Sequence, residues 1–383
     1  MKSIYFDNGA TSFPKAPGVS DAMCKYINEI GSSVNRGIYD KSLQAERIIL
    51  DTREMLCDLF NFDKTDNVVF TKNVTESINV ILKGFLKKDS HVIVTSMEHN
   101  AVMRPLNSLQ DIGVSYTCIS SDQDGNLNYD ELESSIQENT KLIFTIHSSN
   151  VSGTINDINR IGQIAKDNNI FFAVDAAQTA GIIDIDMKSS NIDALCFTGH
   201  KGLLGPQGMG GFLISDDFNK EITPFIEGGT GSKSDLEIQP MNMPDKFESG
   251  TPNVVGIYGL HASLQYLKET GIENIHKKEI DLVEYLLEKI EIFEDEIRVI
   301  AKNNKNRTGV VSLDFKNQDN ATISYVLSSK YQISNRVGMH CAPSAHKTFG
   351  TFPQGSVRVS FSYFNTFEEV DVLINALSEI LKS

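Results

Sequence analysis

The chain has 383 residues, 40% of them hydrophobic and 22% charged, the composition of an ordinary globular protein large enough for one big core and a smaller second one. Its 35 basic and 50 acidic residues leave a net charge of −15 with no basic block, which argues against nucleic acid and against an anionic membrane surface as partner. No apolar run approaches the roughly 18 residues of a membrane helix. The first residues, "MKSIYFDNGATSFPKAPG", contain no signal-peptide core, and the five scattered cysteines contain no CxxC pair, so a cytoplasmic protein with free thiols, no zinc site and no disulfide framework is expected.

In chain order, apolar β-branched runs alternate with helix-period segments. "NVVFT" (67–71) leads into "KNVTESINVILKGFL", and "HVIVTSM" (91–97) into a short helical run. "KLIFTIH" (141–147) precedes "NDINRIGQIAKDNN", and "FFAVD" (171–175), "DALCFTG" (193–199) and "GGFLIS" (210–215) follow. Strands apolar at consecutive positions are buried on both faces, as in a parallel sheet covered by helices. The alternation predicts a doubly wound α/β sandwich over about residues 60–250. Two long helices then span 252–295. "GVVSLDF" (309–315), "TISYVLSSKY", "SVRVSFSY" (356–363) and an amphipathic last helix with Phe367, Val370, Leu373, Leu377 and Ile380 on one stripe form an α+β pattern. We read 15–255 as a large α/β domain, and 1–14 with 256–383 as a smaller α+β domain.

The chemistry gathers at strand ends. Asp175 closes "FFAVD", with Gln178 three residues on. An aspartate there either caps a short helix or serves a site at the carboxyl end of the sheet. Lys201 lies in "TGHKGLLGPQG" (198–208), where glycines let backbone approach a flat ligand. It is either a solvated loop lysine or a desolvated nucleophilic amine. Together, Asp175 and Lys201 supply what pyridoxal phosphate requires, an acid for the pyridinium nitrogen and an amine for the aldehyde. "TKNVTESIN" (71–79) offers a helix N-terminus for a phosphate, with Thr75 either as ligand or as a simple cap, and Thr198 and His200 could add donors. His99 follows a strand in "SMEHNAV" and could stack on a ring or relay protons.

The motifs "FDNGAT", "EHNAV", "HSSNVSGTIND", "VDAAQ", "TGHKGLLGPQG", "FESGTPN", "NRVGMHCAP" and "VRVSFSYFNT" occur in the order seen in class V aminotransferase-fold enzymes. The chain resembles their cysteine desulfurase and selenocysteine lyase branch over nearly its whole length. "TGHKGLLGPQG" with "VDAAQ" is specific for the wider family, and "RVGMHCAP" separates the desulfurase branch from epimerases and aminotransferases of the same fold. The resemblance implies a pyridoxal-phosphate enzyme of fold type I with a mostly parallel seven-stranded sheet. It implies Lys201 as the covalent cofactor anchor, Asp175 on the pyridinium nitrogen, Gln178 on the ring oxygen and His99 stacked as acid–base.

By the same resemblance Thr75, Thr198, His200 and the backbone at Val74 would hold the phosphate. Gly250 and Thr251 would reach it from the second subunit of a homodimer. Asn150 and Arg358 would meet the substrate carboxylate, with Arg336 and Arg36 further substrate-side candidates. Cys341 would take sulfur from L-cysteine (or selenium from L-selenocysteine) as a persulfide and pass it to an acceptor protein or thiol, serving iron–sulfur cluster or thio-cofactor assembly. No metal is implied.

Cys341 lies in a polar, glycine- and proline-punctuated stretch, so a loop is expected, and His340 and Arg336 are expected to favour its thiolate. Cys24, Cys57, Cys118 and Cys196 sit in helix or strand runs and are expected to be buried and structural. Two positions depart from the desulfurase pattern. Met339 stands where histidine is common, and Val74 where a phosphate-binding hydroxyl is.

Overall fold

The protein is described here by a computed structural model covering residues 3–34, 37, 39–233 and 235–382. The elements run β1 (Ile4–Tyr5), α1 (Val19–Lys25), α2 (Asp40–Phe60), β2 (Val68–Thr71), α3 (Val74–Phe85), β3 (His91–Thr95), α4 (Asn100–Leu109), β4 (Ser115–Ile119) and α5 (Tyr129–Ser134). There follow β5 (Thr140–Ile146), α6 (Ile158–Asp167), β6 (Phe171–Asp175), β7 (Ala194–Thr198), β8 (Gly210–Ile214), α7 (Asp216–Glu221), α8 (Val254–Thr270) and α9 (Ile272–Ile290). The chain ends with β9 (Ile297–Val299), β10 (Val310–Phe315), α10 (Asn320–Tyr331), β11 (Ile333–Ser334), β12 (Arg336–Gly338), α11 (Pro343–Thr348), β13 (Ser356–Ser360) and α12 (Phe367–Leu381).

The large sheet has seven strands in the order β2-β8-β7-β6-β5-β3-β4. Every pair from β7 to β4 is parallel, and only β8 runs against its neighbours. Alternation within each strand divides the core as two-sided burial requires. Ile93, Ile143, Phe172, Val174 and Leu195 pack on one face with Leu56, Phe60, Ile161 and Leu260. Val92, Val94, Phe144, Ala173 and Cys196 pack on the other with Ile78, Ile81, Leu106 and Phe218. The run of consecutive apolar residues in each strand is therefore two interleaved faces.

A second sheet, β12-β13-β10-β9, is antiparallel throughout. Its core joins Val311, Leu313, Val357 and Val359 to Leu282 and Leu286 of α9 and to Leu373 and Leu377 of α12. The N-terminus belongs to this part. β1 pairs in parallel with β11, Ile4 opposite Ile333, and Asp7 bridges to Ser360 at the end of β13. The helices α1 and α2, which the sequence reading did not single out, pack against α8.

Candidate active site

Four neighbouring parallel strands, β7, β6, β5 and β3, deliver the predicted residues at their carboxyl ends: Lys201, Asp175, Asn150 and His99. The carboxyl edge of a parallel sheet is where loops and helix N-termini converge, so chemistry collects there.

Lys201 keeps part of its area open, but its amine is enclosed by protein. Burial pulls its pKa down to about 8; Arg358 and Arg336 push the same way, while Asp175 and Asp7 oppose them. Asp175 is buried, accepts a hydrogen bond from the Ala177 N–H at 2.9 Å, and is held above the ordinary carboxylate range by burial, with Lys201 pulling it back. The Gln178 amide donates to the Gly9 carbonyl at 3.1 Å, and Thr198 is buried at the end of β7. His200 is half-buried; burial lowers its pKa to about 4, and its Nδ1 is enclosed without a partner among the described residues. The glycines after Lys201 serve the protein's own packing. A Cβ on Gly202 would meet the Ala180 carbonyl at 2.5 Å and Ile182 at 2.7 Å, and one on Gly205 would meet Ser263 at 2.9 Å.

His99 is the N-cap of α4. Its Nδ1 accepts the Ala101 N–H at 3.0 Å, which leaves the ring proton on Nε2. Burial, then Lys201 and Arg104, lower its pKa to about 4, so the ring is neutral at pH 7. α3 is capped by Asn73, whose side chain accepts from the Glu76 N–H, and not by Thr75. Val74 and Thr75 therefore occupy the first turn, where backbone N–H groups lack intrahelical partners, and Thr75 is exposed. Thr75, His99, Arg104 and Cys341 line one cleft.

The antiparallel sheet supplies the rest. Arg336 on β12 stands opposite Arg358 on β13, the first exposed and the second only 2% exposed. Arg358 donates to the Asn150 carbonyl and to Asp7 Oδ1, both at 3.0 Å. Cys341 lies between β12 and α11, half-buried, with both His340 and Cys341 in the left-handed region at φ 47° and 57°. That conformation is costly for residues with a Cβ and persists only where neighbours enforce it. Here the Asn100 N–H donates to the Cys341 carbonyl at 2.7 Å, and the Asn150 side-chain amide donates to the His340 carbonyl at 2.6 Å. The short helix α11 follows at once, so the 342–356 stretch is partly helical.

Two expectations are corrected. His340 lends no charge to Cys341: it is buried, its Nε2 meets Ser356 Oγ at 3.2 Å, and burial drives its pKa to about 2, leaving a neutral ring. Cys57 and Cys196 are buried as expected, but Cys24 and Cys118 are exposed, because α1 shows that position to solvent and β4 is an edge strand. Gly250 and Thr251, expected to act from a second subunit, are exposed and line a surface cleft with Phe70, Lys72 and Glu76. Arg36 lies outside the described residues.

The sequence reading missed three participants. Asp7 pairs with Arg358, and Asn100 holds the Cys341 backbone. Glu98, 0% exposed, accepts from Thr95 Oγ1 at 2.7 Å and the Ile146 N–H at 2.9 Å, tying the ends of β3 and β5 together. All three stand inside motifs already noted, "FDNGAT" and "EHNAV", but Arg358, Cys341 and Ile146, which they meet, lie far along the chain.

Among protein families, aminotransferase class-V matches residues 4–373. The chain is 34% identical to a probable cysteine desulfurase of Pyrococcus abyssi, over 99% of its own length and 94% of that protein's. It is 33% identical to a probable cysteine desulfurase of Methanothermobacter thermautotrophicus, over 98% and 94%. The apo structure of a cysteine desulfurase from Thermococcus onnurineus NA1 matches with a TM-score of 0.93 at 32% identity, covering 100% of this chain and 95% of that one.

Proposed function

The chain belongs to the aminotransferase class-V family, and from that premise we propose that it is a cysteine desulfurase. It would use pyridoxal 5′-phosphate, convert L-cysteine to L-alanine, and leave the sulfur as a persulfide on Cys341. The observation that carries the reading is the cleft shared by His99, Thr75 and Cys341, with the thiol loop bonded to the residue after His99.

The residues present fit the cofactor. Asp175 is a buried carboxyl group that feels the charge of the Lys201 amine, an arrangement suited to a pyridinium nitrogen. His200 Nδ1 and Asn150 Oδ1 are buried without partners among the described residues, as groups awaiting a polar ligand would be. Lys201 would hold the aldehyde, Asp175 the ring nitrogen, Gln178 the ring oxygen and His99 the ring. Thr75, Thr198, His200 and the N–H groups around Val74 would hold the phosphate. Gly250 and Thr251 would complete it from a second copy in a homodimer. When bound, pyridoxal phosphate draws electrons from the substrate Cα.

The chain's own groups do the rest. Arg358, with Asn150 and Arg336 nearby, orients the substrate carboxylate. The Lys201 amine, with a pKa of about 8, suits moving the Cα proton, and the neutral His99 carries one at Nε2. Cys341 Sγ bonds to the substrate sulfur as the substrate C–S bond breaks; the C–S electron pair and a proton pass to the carbon that becomes alanine's methyl group. An acceptor protein or thiol then takes the sulfur for iron–sulfur cluster or thio-cofactor assembly. His340 is neutral and lends Cys341 no charge, whereas the buried Arg358 guanidinium lies within electrostatic reach of it.

The test is product analysis of the yellow holoenzyme fed L-cysteine and a reductant. Alanine and sulfide should appear in equal amounts. Cys341→Ala should lose cysteine turnover by at least about a hundredfold while staying yellow and still consuming L-selenocysteine. Pyruvate in place of alanine, or cysteine turnover that survives the substitution, overturns the reading.

A further inference from the structure

We propose that Asp7 sets the affinity of the site for its substrate's carboxylate: it occupies Arg358 in the free protein and gives way when a ligand carboxylate arrives. The proposal rests on the reading of Arg358 as the carboxylate partner and goes beyond it by assigning a residue that competes for the same guanidinium.

Asp7 lies just after β1, on a segment that crosses the end of β13. Its Oδ1 is 3.0 Å from Arg358 Nη2, the Asn150 carbonyl takes Nη1 at 3.0 Å, and Nε is enclosed without a partner among the described residues. Gly9 presses on the same guanidinium so closely that a Cβ there would come within 3.2 Å of Arg358 Cζ. With Arg358 only 2% exposed, an arriving carboxylate finds no open edge on it, while the Arg336 guanidinium opposite is exposed. Among the described residues the cations felt here are Lys201, Arg336 and Arg358, and the groups of opposite sign are Asp7, Asp175 and Cys341. A substrate carboxylate takes the place on Arg358 that Asp7 yields.

The same segment reaches the other half of the site. The Gly9 carbonyl accepts from Gln178 at 3.1 Å, the Gly9 N–H donates to Ser360 Oγ at 2.8 Å, and the Ser12 N–H and Lys15 Nζ both donate to the His200 carbonyl at 2.9 Å. Displacing Asp7 therefore loosens a strap that also holds Gln178 and His200. Energetically, an internal carboxylate on a buried arginine lowers the free energy of the unliganded state, and the ligand must exceed that gain before it binds. Asn at position 7 keeps the shape and removes the charge. The free state then loses its compensation, and the bound state, compensated by the ligand, does not.

The experiment measures L-alanine binding to the holoenzyme by calorimetry, for wild type and Asp7→Asn, with L-alaninamide as the ligand lacking a carboxylate. Asp7→Asn should bind L-alanine about tenfold more tightly and lower the KM for L-cysteine by a similar factor, with L-alaninamide affinity unchanged. Unchanged or weaker L-alanine binding, or an equal gain for L-alaninamide, overturns the proposal. A measurement on the wild type covers the case of a misfolded variant: saturating L-alanine should speed hydrogen exchange in the peptide spanning residues 5–13, and slower or unchanged exchange overturns it. L-Alanine binding needs no sulfur chemistry. If the affinity ratio holds while L-cysteine yields no alanine, the desulfurase reading falls and the role of Asp7 stands; the opposite pattern removes Asp7 alone.

Discussion

Lys201 owes its reactivity to enclosure. An amine surrounded by protein loses the water that stabilises its charge, and two arginines add repulsion, so the ammonium gives up its proton at about pH 8 and not in the ordinary lysine range. Only the uncharged amine attacks an aldehyde. The rate at which apoprotein turns yellow with pyridoxal phosphate should therefore rise with pH, reach half its maximum near pH 8, and level off above it. Stopped-flow absorbance would check this, and a rate still climbing toward pH 10 would show an ordinary surface lysine. Lys201→Arg should give no yellow product. Lys201 and Asp175 were legible because each closes an apolar strand with a motif around it. The neutrality of His340 was not, because it follows from burial among residues that sequence does not reveal as neighbours.

At the scale of elements, the site exists because loops leave β7, β6, β5 and β3 at one edge and the antiparallel sheet lowers its Cys341 loop onto them. That register depends on close helix–sheet packing. α6 lies so near the 184–192 segment that a Cβ on Gly162 would overlap the Ser190 carbonyl and crowd Phe172 on β6. Gly162→Ala should thus destabilise the fold by about 3 kcal/mol although alanine is the better helix former. A urea midpoint equal to or above that of the wild type would show that α6 has room to shift. The strands and long helices were legible from periodicity. The short α11 was not legible, because it carries no strong period and forms on contacts made elsewhere.

The whole molecule buries more ionisable groups than the candidate site uses, and they set how its stability varies with pH. Burial pushes Glu98 and Glu279 up to about 8 from 4.5, so the fold favours their protonated forms; that contribution is present below 4.5 and lost as pH rises through about 8. Burial lowers His147 and His346 to about 4 from 6.5, so the fold favours the neutral rings; that contribution is present above 6.5 and lost as pH falls toward 4. His99, His200 and His340 act in the same sense, so below pH 6.5 the histidines outweigh the two carboxyls. Between pH 4 and 8 the urea midpoint of the apoprotein should peak near pH 6.5 and fall on both sides, before the buried Lys15 and Lys201 amines act in the opposite sense above pH 8. Glu279→Gln, which cannot ionise, should flatten the fall between pH 6.5 and 8; a fall of unchanged depth would mean that Glu279 stays uncharged or is paired.

The sequence by itself determined the α/β alternation, the two-faced burial of the large sheet and the family, because periodicity and contiguous motifs are local properties. It also marked Lys201, Asp175, His99 and Cys341. Only the tertiary structure decided what surrounds them. Asp7 and Arg358 meet across 351 positions, Asn150 and His340 across 190, and the enclosure that lowers Lys201 and silences His340 is assembled from both sheets. Desolvation and long-range pairing are properties of a packed volume, and a linear sequence holds no distance from which to read them.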